Sequence, residues 1–379
     1  MKKMIVCIIG TVLIACASSK DTDSGAIILD KTNITDKTQG DFDLSALVKD
    51  WDFVVPEQND VCALTRISQI KISGNDIFVV NVEGTQSDIY HFTSDGKFCN
   101  RVGQQGIGYD FVINILVDSV NRKVCLLDIF ERSIHHYDYN GNYQRSYKPY
   151  PSLQYVADVF CLGDNEILGY YGICQDHHLA YFSADSLLNM EDTLSYYQVS
   201  FDSPGVLNFS KHAVSSYGGR TLLIQPFCDT IFEYQNSKLW PVFITKVGAS
   251  LPENYKLKNH PDCVKTKDQL EKEGYYSKSG IFETNSHIWI GYGKNRLMYN
   301  KDNNAGVYFT DSMHCHAEVF PPLDFIGRKK EALVTLVSDK EVRHVKEMMI
   351  KQGIKPTGKL KELFEKAEGE PYVLCFYTF

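Results

Sequence analysis

Asp76-Ile77-Phe78-Val79-Val80-Asn81, then Asp88-Ile89-Tyr90-His91-Phe92, then Thr93-Ser94-Asp95-Gly96-Lys97-Phe98 form two apolar runs and a turn. Forty-five to forty-seven residues later the same order returns. The second copy is Lys123-Val124-Cys125-Leu126-Leu127-Asp128, Ser133-Ile134-His135-His136-Tyr137 and Asp138-Tyr139-Asn140-Gly141-Asn142-Tyr143. Each unit reads as a strand, a second strand with alternating apolar residues, an Asp-Gly or Asn-Gly turn, and a further strand. Those dipeptides supply the positive φ angles that tight hairpins need, so strand direction and register are set locally.

Fainter copies follow. Asn165-Glu166-Ile167-Leu168-Gly169-Tyr170 with His178-Leu179-Ala180-Tyr181-Phe182 is a third, and Arg220-Thr221-Leu222-Leu223-Ile224 with Asp229-Thr230-Ile231-Phe232-Glu233-Tyr234 a fourth. Ser286-His287-Ile288-Trp289-Ile290 with Arg296-Leu297-Met298-Tyr299 is a fifth, and Ala332-Leu333-Val334-Thr335-Leu336-Val337 marks a sixth. A period of about 40 to 50 residues with several strands each predicts an all-β, six-bladed β-propeller, whose blades bury their faces against their neighbours. A β-sandwich with evenly spaced hairpins is the competing architecture. The 23 Tyr and 21 Phe favour a β-rich domain.

From 339 to 367 the period changes. Val342, Val345, Met348, Met349 and Ile350 recur at helical steps, Gly353 and Pro356 interrupt, and Leu360, Leu363 and Phe364 resume. The spacing predicts a short C-terminal helical insertion that covers a sheet edge. Pro371-Tyr372-Val373-Leu374-Cys375-Phe376-Tyr377 then returns as a strand. Residues 371–379 are expected to close the ring by pairing with an N-terminal strand drawn from Ala26-Ile27-Ile28-Leu29 or Trp51-Asp52-Phe53-Val54-Val55.

The N-terminus carries a different kind of signal. Lys2 and Lys3 precede an apolar run from Met4 to Ala15, too short to span a bilayer and flanked as an export signal is. Leu13-Ile14-Ala15-Cys16 resembles the lipobox of bacterial lipoproteins, which implies cleavage before Cys16 and lipidation of its thiol. Ala17-Ser18-Ser19-Lys20-Asp21-Thr22-Asp23 resembles the surface-export tether of such proteins. The expected organisation is therefore a lipoprotein signal peptide over 1–15, a lipidated Cys16 and flexible tether over 16–40, and the propeller over 41–379.

Losing Lys2 and Lys3 with the leader takes the formal net charge from −8 to −10. That argues against nucleic acid or anionic headgroups as ligands of the body, since both select clustered Lys and Arg. Beyond Cys7 and Cys16 there are nine cysteines, with no C-x-x-C spacing. They read mostly as small buried hydrophobes rather than a disulfide framework.

Ile67-Ser68-Gln69-Ile70-Lys71-Ile72 leading into Ile77-Phe78-Val79, the turn Asp95-Gly96-Lys97-Phe98, and Val102-Gly103-Gln104-Gln105-Gly106-Ile107-Gly108-Tyr109 resemble the six-bladed propeller lipoproteins of Gram-negative gut anaerobes. That family is related to the NHL-repeat propellers and includes many domains of unknown function. Pro226 to Phe232, Leu251-Pro252-Glu253 and Phe282-Glu283-Thr284-Asn285 keep step with it. The resemblance implies the fold and an outer-membrane anchor, on the periplasmic or cell-surface face, and says almost nothing about activity. One departure is plain: the family's glycine-rich stretch ends Gly-Pro-Gly-Glu-Tyr, and here it is Gly106-Ile107-Gly108-Tyr109.

Candidate chemistry is sparse. Met313-His314-Cys315-His316 is the densest group of metal-ligand types, and alternate residues of a strand would put both imidazoles on one face. His135-His136 and His177-His178 fall at corresponding blade regions. Six-bladed lactonases and lyases hold a metal with side chains from different blades, and Asp118, Asp128, Asp158 and Glu283 are the carboxylates available for that here. No nucleophile motif or P-loop is present, and Gly103 to Gly108 does not open a helix. The expected function is a monomeric membrane-anchored binding module for a glycan, a peptide or an envelope protein, without a cofactor. Part of its surface is the charged, Tyr-containing segment 248–280. The alternative is a metal-assisted hydrolase or lyase centred on the channel, with a divalent metal as cofactor.

Overall fold

The computed structural model describes residues 25–379 apart from 129, 149–155, 164–165, 172–178, 186–189, 197–199, 202–211, 226, 248–258, 261–268, 271, 274 and 276–277. Cys16, the pair His177-His178, Cys174, Cys263 and most of the segment 248–280 lie outside the described residues.

Six four-stranded antiparallel blades follow one another along the chain. Blade one is Ile67–Ser73, Asp76–Glu83, Gln86–Thr93 and Phe98–Arg101, and blade two is Val112–Asp118, Lys123–Asp128, Ser133–Asp138 and Tyr143–Tyr147. Blade three is Val156–Gly163, Glu166–Tyr171, Leu179–Ala184 and Met190–Tyr196. Blade four is Val214–Tyr217, Arg220–Ile224, Thr230–Gln235 and Lys238–Thr245, and blade five is Lys278–Glu283, His287–Tyr292, Asn295–Asn300 and Ala305–Asp311. The first strand of each blade is an edge of its sheet, and the first strands of blades six, one, two and three touch in succession, as do those of blades four and five.

Blade six closes the ring. Phe325–Lys329, Ala332–Ser338 and Tyr372–Thr378 come from the C-terminal end, and Asp50–Val54 from the N-terminal end, with Trp51 opposite Tyr377. The expected clasp is present, and Trp51–Val54 is the partner. Strand structure reaches further toward the N-terminus than the tether assigned to 16–40. Ile27–Leu29 pairs in parallel with the outer strand of blade four, and Ile34–Phe42 with that of blade five. Residues 27–54 are thus a strap along the rims of three successive blades, because unpaired outer edges expose backbone groups that any extended segment can satisfy.

The core lies between blades. Ile77 and Val79 join Val334, Leu374 and Phe376 of blade six. Their neighbours Phe78, Val80 and Val82 join Val112, Ile115, Val124 and Leu126 of blade two. Side chains alternate across a strand, so a strand packed on both faces must be apolar throughout, as Ile77 to Val80 is.

The hairpin turns differ in detail from the expectation. Gly96 has φ +88° and Gly141 φ +82°, whereas Asp95 and Asn140 keep negative φ. Thr93 N donates to Lys97 O at 2.9 Å, and a bulge follows at His91/Phe92. This is the three-residue turn with a glycine bulge, which needs one left-handed residue rather than two. A Cβ on Gly96 would also lie 2.7 Å from Val55 O, in the stretch following the closing strand.

Two helices, α1 (Asp339–Gln352) and α2 (Gly358–Lys366), are inserted before the last strand, broken at Gly353 and Pro356 as the sequence suggests. Ser338 and Glu341 form a reciprocal capping box at the start of α1, and Gly353 ends it at φ +70°. Val342, Val345 and Met349 of α1 and Leu360, Leu363 and Phe364 of α2 share a buried cluster with Leu44, Trp51 and Phe320. Lys359 Nζ donates to Trp51 O at 2.5 Å, so the pair also engages the closing strand. Of the described cysteines, Cys62, Cys125, Cys228 and Cys375 are buried.

Candidate functional site

Five of the six inner strands carry a register shift near their start, between Ile67 and Gln69, Val112 and Asn114, Val156 and Asp158, Lys278 and Gly280, and Phe325 and Gly327. A bulge re-aims the residue that follows it. On blades one to three that residue is Gln69, Asn114 or Asp158, and on blades five and six it is a glycine.

The three polar residues meet. Gln69 Nε2 donates to Asn114 Oδ1 at 2.7 Å and to Asp158 Oδ1 at 3.3 Å, while Gln69 Oε1 accepts from Ile115 N at 2.8 Å. Lys71, two residues along the same strand, crosses from blade one to blade three and places Nζ 2.8 Å from Asp158 Oδ1, over the Phe160 ring. Burial pushes the Asp158 carboxyl above the usual range; the Lys71 charge opposes that shift without cancelling it.

A second bridge joins blades six and four past blade five. Arg328 Nη2 donates to Ser216 O at 2.6 Å and its guanidinium lies 4.7 Å from the centre of the Tyr217 ring, while Tyr217 OH donates to Glu331. Glu331 Oε2 accepts from Asn285 N at 2.8 Å. Beside it, buried Glu283 pairs through Oε1 with Lys301 at 3.0 Å and Arg220 at 3.5 Å.

The four carboxylates singled out in the sequence do not converge. Asp158 belongs to the inner-strand cluster and Glu283 to the blade four–five ion pairs. Asp118 accepts from Asn121 N and Nδ2 and shapes a turn. Asp128, Glu131 and His135 do bring three ligand atoms within 4.8 Å of one another, the one such group among the described residues. Proximity here reflects loop-building rather than an open coordination site. Asp128 Oδ1 accepts from Phe130 N and Glu131 N, and Oδ2 from Asp110 N and Phe111 N. Burial disfavours the Asp128 anion, but the His135 contact and these N–H donors outweigh it and hold its pKa below the usual range. Asn81 does the same work in blade one, accepting from Thr65 N and Arg66 N.

The histidines are likewise engaged. His135 and His136 are both buried, His135 against Ser133 and His136 against Cys125 and Tyr147. His314 and His316 pair separately with Asp41 Oδ1 at 2.8 Å and Asp43 Oδ2 at 2.7 Å, fastening the strap to the segment before blade six. The glycine-rich loop is structural: a Cβ at Gly103 or Gly108 would collide with Tyr137.

Gln69, Asn114 and Lys71 were missed in the sequence. The signal was available, because 69, 114 and 158 are spaced 45 and 44 residues apart, in step with the blade repeat.

A family model described as "Domain of unknown function (DUF4934)" matches residues 26–377. A predicted exported protein of Bacteroides fragilis NCTC 9343 is similar in fold, with a TM-score of 0.67 at 17% identity, covering 93% of this chain and 99% of its own. A member of the DUF4221 family from Bacteroides vulgatus gives a TM-score of 0.50 at 10% identity, covering 88% of this chain and 96% of its own. No curated protein matches the sequence.

Proposed function

The chain belongs to the DUF4934 family of domains of unknown function, and from that premise we propose that it is an extracytoplasmic binding module, anchored to the outer membrane through lipid on Cys16. Its ligand is a glycan, a peptide or another envelope protein, presented to the polar channel surface. The exported character assigned to the Bacteroides fragilis neighbour supports the compartment. Among the described residues no helix is long and apolar enough to cross a membrane, which is consistent with attachment by the N-terminal end.

The observation that carries the reading is Lys71 on Asp158. The inner-strand cluster has the donor types a channel metal would use, but an ammonium already sits 2.8 Å from its carboxylate, and a divalent ion there would meet a like charge. Without a metal, the amides and the ion pair form a neutral cluster of mixed donors and acceptors, with Asn114 and Asp158 buried and Gln69 and Lys71 part-exposed, whose donor and acceptor types suit hydroxyls and amides.

A thermal-shift screen with glycans, peptides and divalent metals, each metal with a chelator control, tests this. A ligand at a hundredfold over its Kd stabilises by about 2.7 kcal/mol. Stabilisation by a glycan or peptide, weakened in Gln69→Ala, is the expected result. Stabilisation by a metal, reversed by chelator and lost in Asp158→Asn, would replace this reading with the metal-assisted hydrolase or lyase. Metabolic labelling with a fatty acid, absent in Cys16→Ala, checks the anchor.

A further inference from the structure

The rim of blade four combines exposed apolar side chains with exposed lysines where the chain enters the fold. Ile27 and Ile28 are 41% and 43% exposed on the first strap strand, and Trp240 is 52% exposed on the strand it pairs with. Ile27 lies opposite Phe243, three residues along from Trp240. Lys31, Lys238 and Lys246 are exposed around them. The strap strand is not an open β edge for another chain to extend, because Asn33 Nδ2 donates to Ile28 O at 2.8 Å. What this rim offers is side chains: an indole, two isoleucines and cations.

We infer that the rim of blade four rests on a phospholipid surface, with Trp240, Ile27 and Ile28 at the headgroup boundary and Lys31, Lys238 and Lys246 toward the phosphates. The inference rests on the anchoring reading, which supplies the reason for a lipid occupant. Ten residues lie between Cys16 and Ile27, and the eleven steps span at most about 40 Å when fully extended. The first described element after the anchor is this strand, and its rim is the part of the propeller held nearest the bilayer. Trp is suited to that boundary, with an apolar ring and a polar N–H; although the body as a whole is acidic, Lys31, Lys238 and Lys246 gather on this rim, Lys31 and Lys246 beside Asp30, and add a local attraction to anionic lipid. The contact turns a tethered domain into an oriented one, standing on the side of blade four with its axis along the membrane.

Tryptophan emission reads this directly. Of the three tryptophans, Trp51 and Trp289 are 5% and 2% exposed, so quenching by a lipid-borne probe reports Trp240. The lipidated chain is reconstituted into phosphatidylethanolamine–phosphatidylglycerol vesicles carrying a brominated lipid. The chain starting at residue 17, which retains every described residue, is added to the same vesicles. Expected are a blue shift and quenching that vanish in Trp240→Phe, weaken in Ile27→Ser/Ile28→Ser, and weaken when phosphatidylglycerol is omitted. A lipidated chain that floats with the vesicles but keeps unquenched Trp240 overturns the docking and leaves the anchor standing, making the rim a candidate protein interface. Quenching of the residue-17 chain, with no lipid found on Cys16, supports the docking and removes the anchor. Unchanged emission in both forms overturns the proposal.

Discussion

At Lys71 and Asp158, two opposed effects meet in one contact. Burial penalises the carboxylate, and the ammonium at 2.8 Å offsets part of that penalty. Removing one partner of such a pair costs more than the pair contributes, because the remaining charge stays buried. Lys71→Ala is expected to destabilise the fold by about 3 kcal/mol at pH 7 in urea unfolding. Lys71→Met with Asp158→Leu should recover most of that loss. His136 sets a pH dependence. Burial lowers its pKa from 6.5 to about 4, with Arg145 and Lys123 acting in the same direction. Between those values the unfolded chain binds a proton that the folded chain refuses, so stability falls as pH drops from about 6.5 to about 4. The loss is at most about 3 kcal/mol. Burial depresses His287 as well, with the same sign. Urea midpoints measured from pH 7 to 4.5 should show this slope, and His136→Gln should flatten it.

Among the elements, the closing strand does the most for its length. Trp51 stacks on Tyr377 with ring centroids 6.2 Å apart, donates from Nε1 to Glu318 O at 2.8 Å, and shares a cluster with both inserted helices. Trp51→Ala should cost about 3–5 kcal/mol, the range for large aromatic truncations in a core, as measured by urea unfolding. The helices lie within blade six's own strand order and bury their apolar stripes in its cluster, so their periodicity was readable in advance. The strap was not. Ile34–Phe42 contains Thr35, Asp36, Lys37, Thr38, Gln39, Gly40 and Asp41, a run without strand-like alternation. Its pairing comes from the unfilled outer edge of blade five, a property of the assembled sheet rather than of the segment.

For the whole molecule, ring closure couples the two ends of the chain. Tyr372–Thr378 sits between Ala332–Ser338 and Asp50–Val54, so without it the N-terminal strand has nothing to pair with in blade six. Deleting residues 371–379 is expected to abolish the cooperative thermal transition followed by circular dichroism; an unchanged melting temperature would refute closure by this strand. Six blades, their order and the helical insertion were legible because each depends on local signals: period-two apolar runs, glycine turns and a switch to period 3.6. The inner-strand cluster was legible only in part. Asp158 could be named as an available carboxylate, but its partners Gln69, Asn114 and Lys71 stand 44 to 89 positions away along the chain. Only bulges and ring closure bring them together. The amino-acid sequence by itself determined the repeat, the strand hairpins and the helix pair, since hydrophobic period and turn chemistry act between near neighbours. Tertiary structure alone decided which polar side chains meet, that Lys71 stands on Asp158, that His314 and His316 hold the strap, and that Trp240 is left facing outward. Those outcomes depend on distances between blades, which no local pattern encodes.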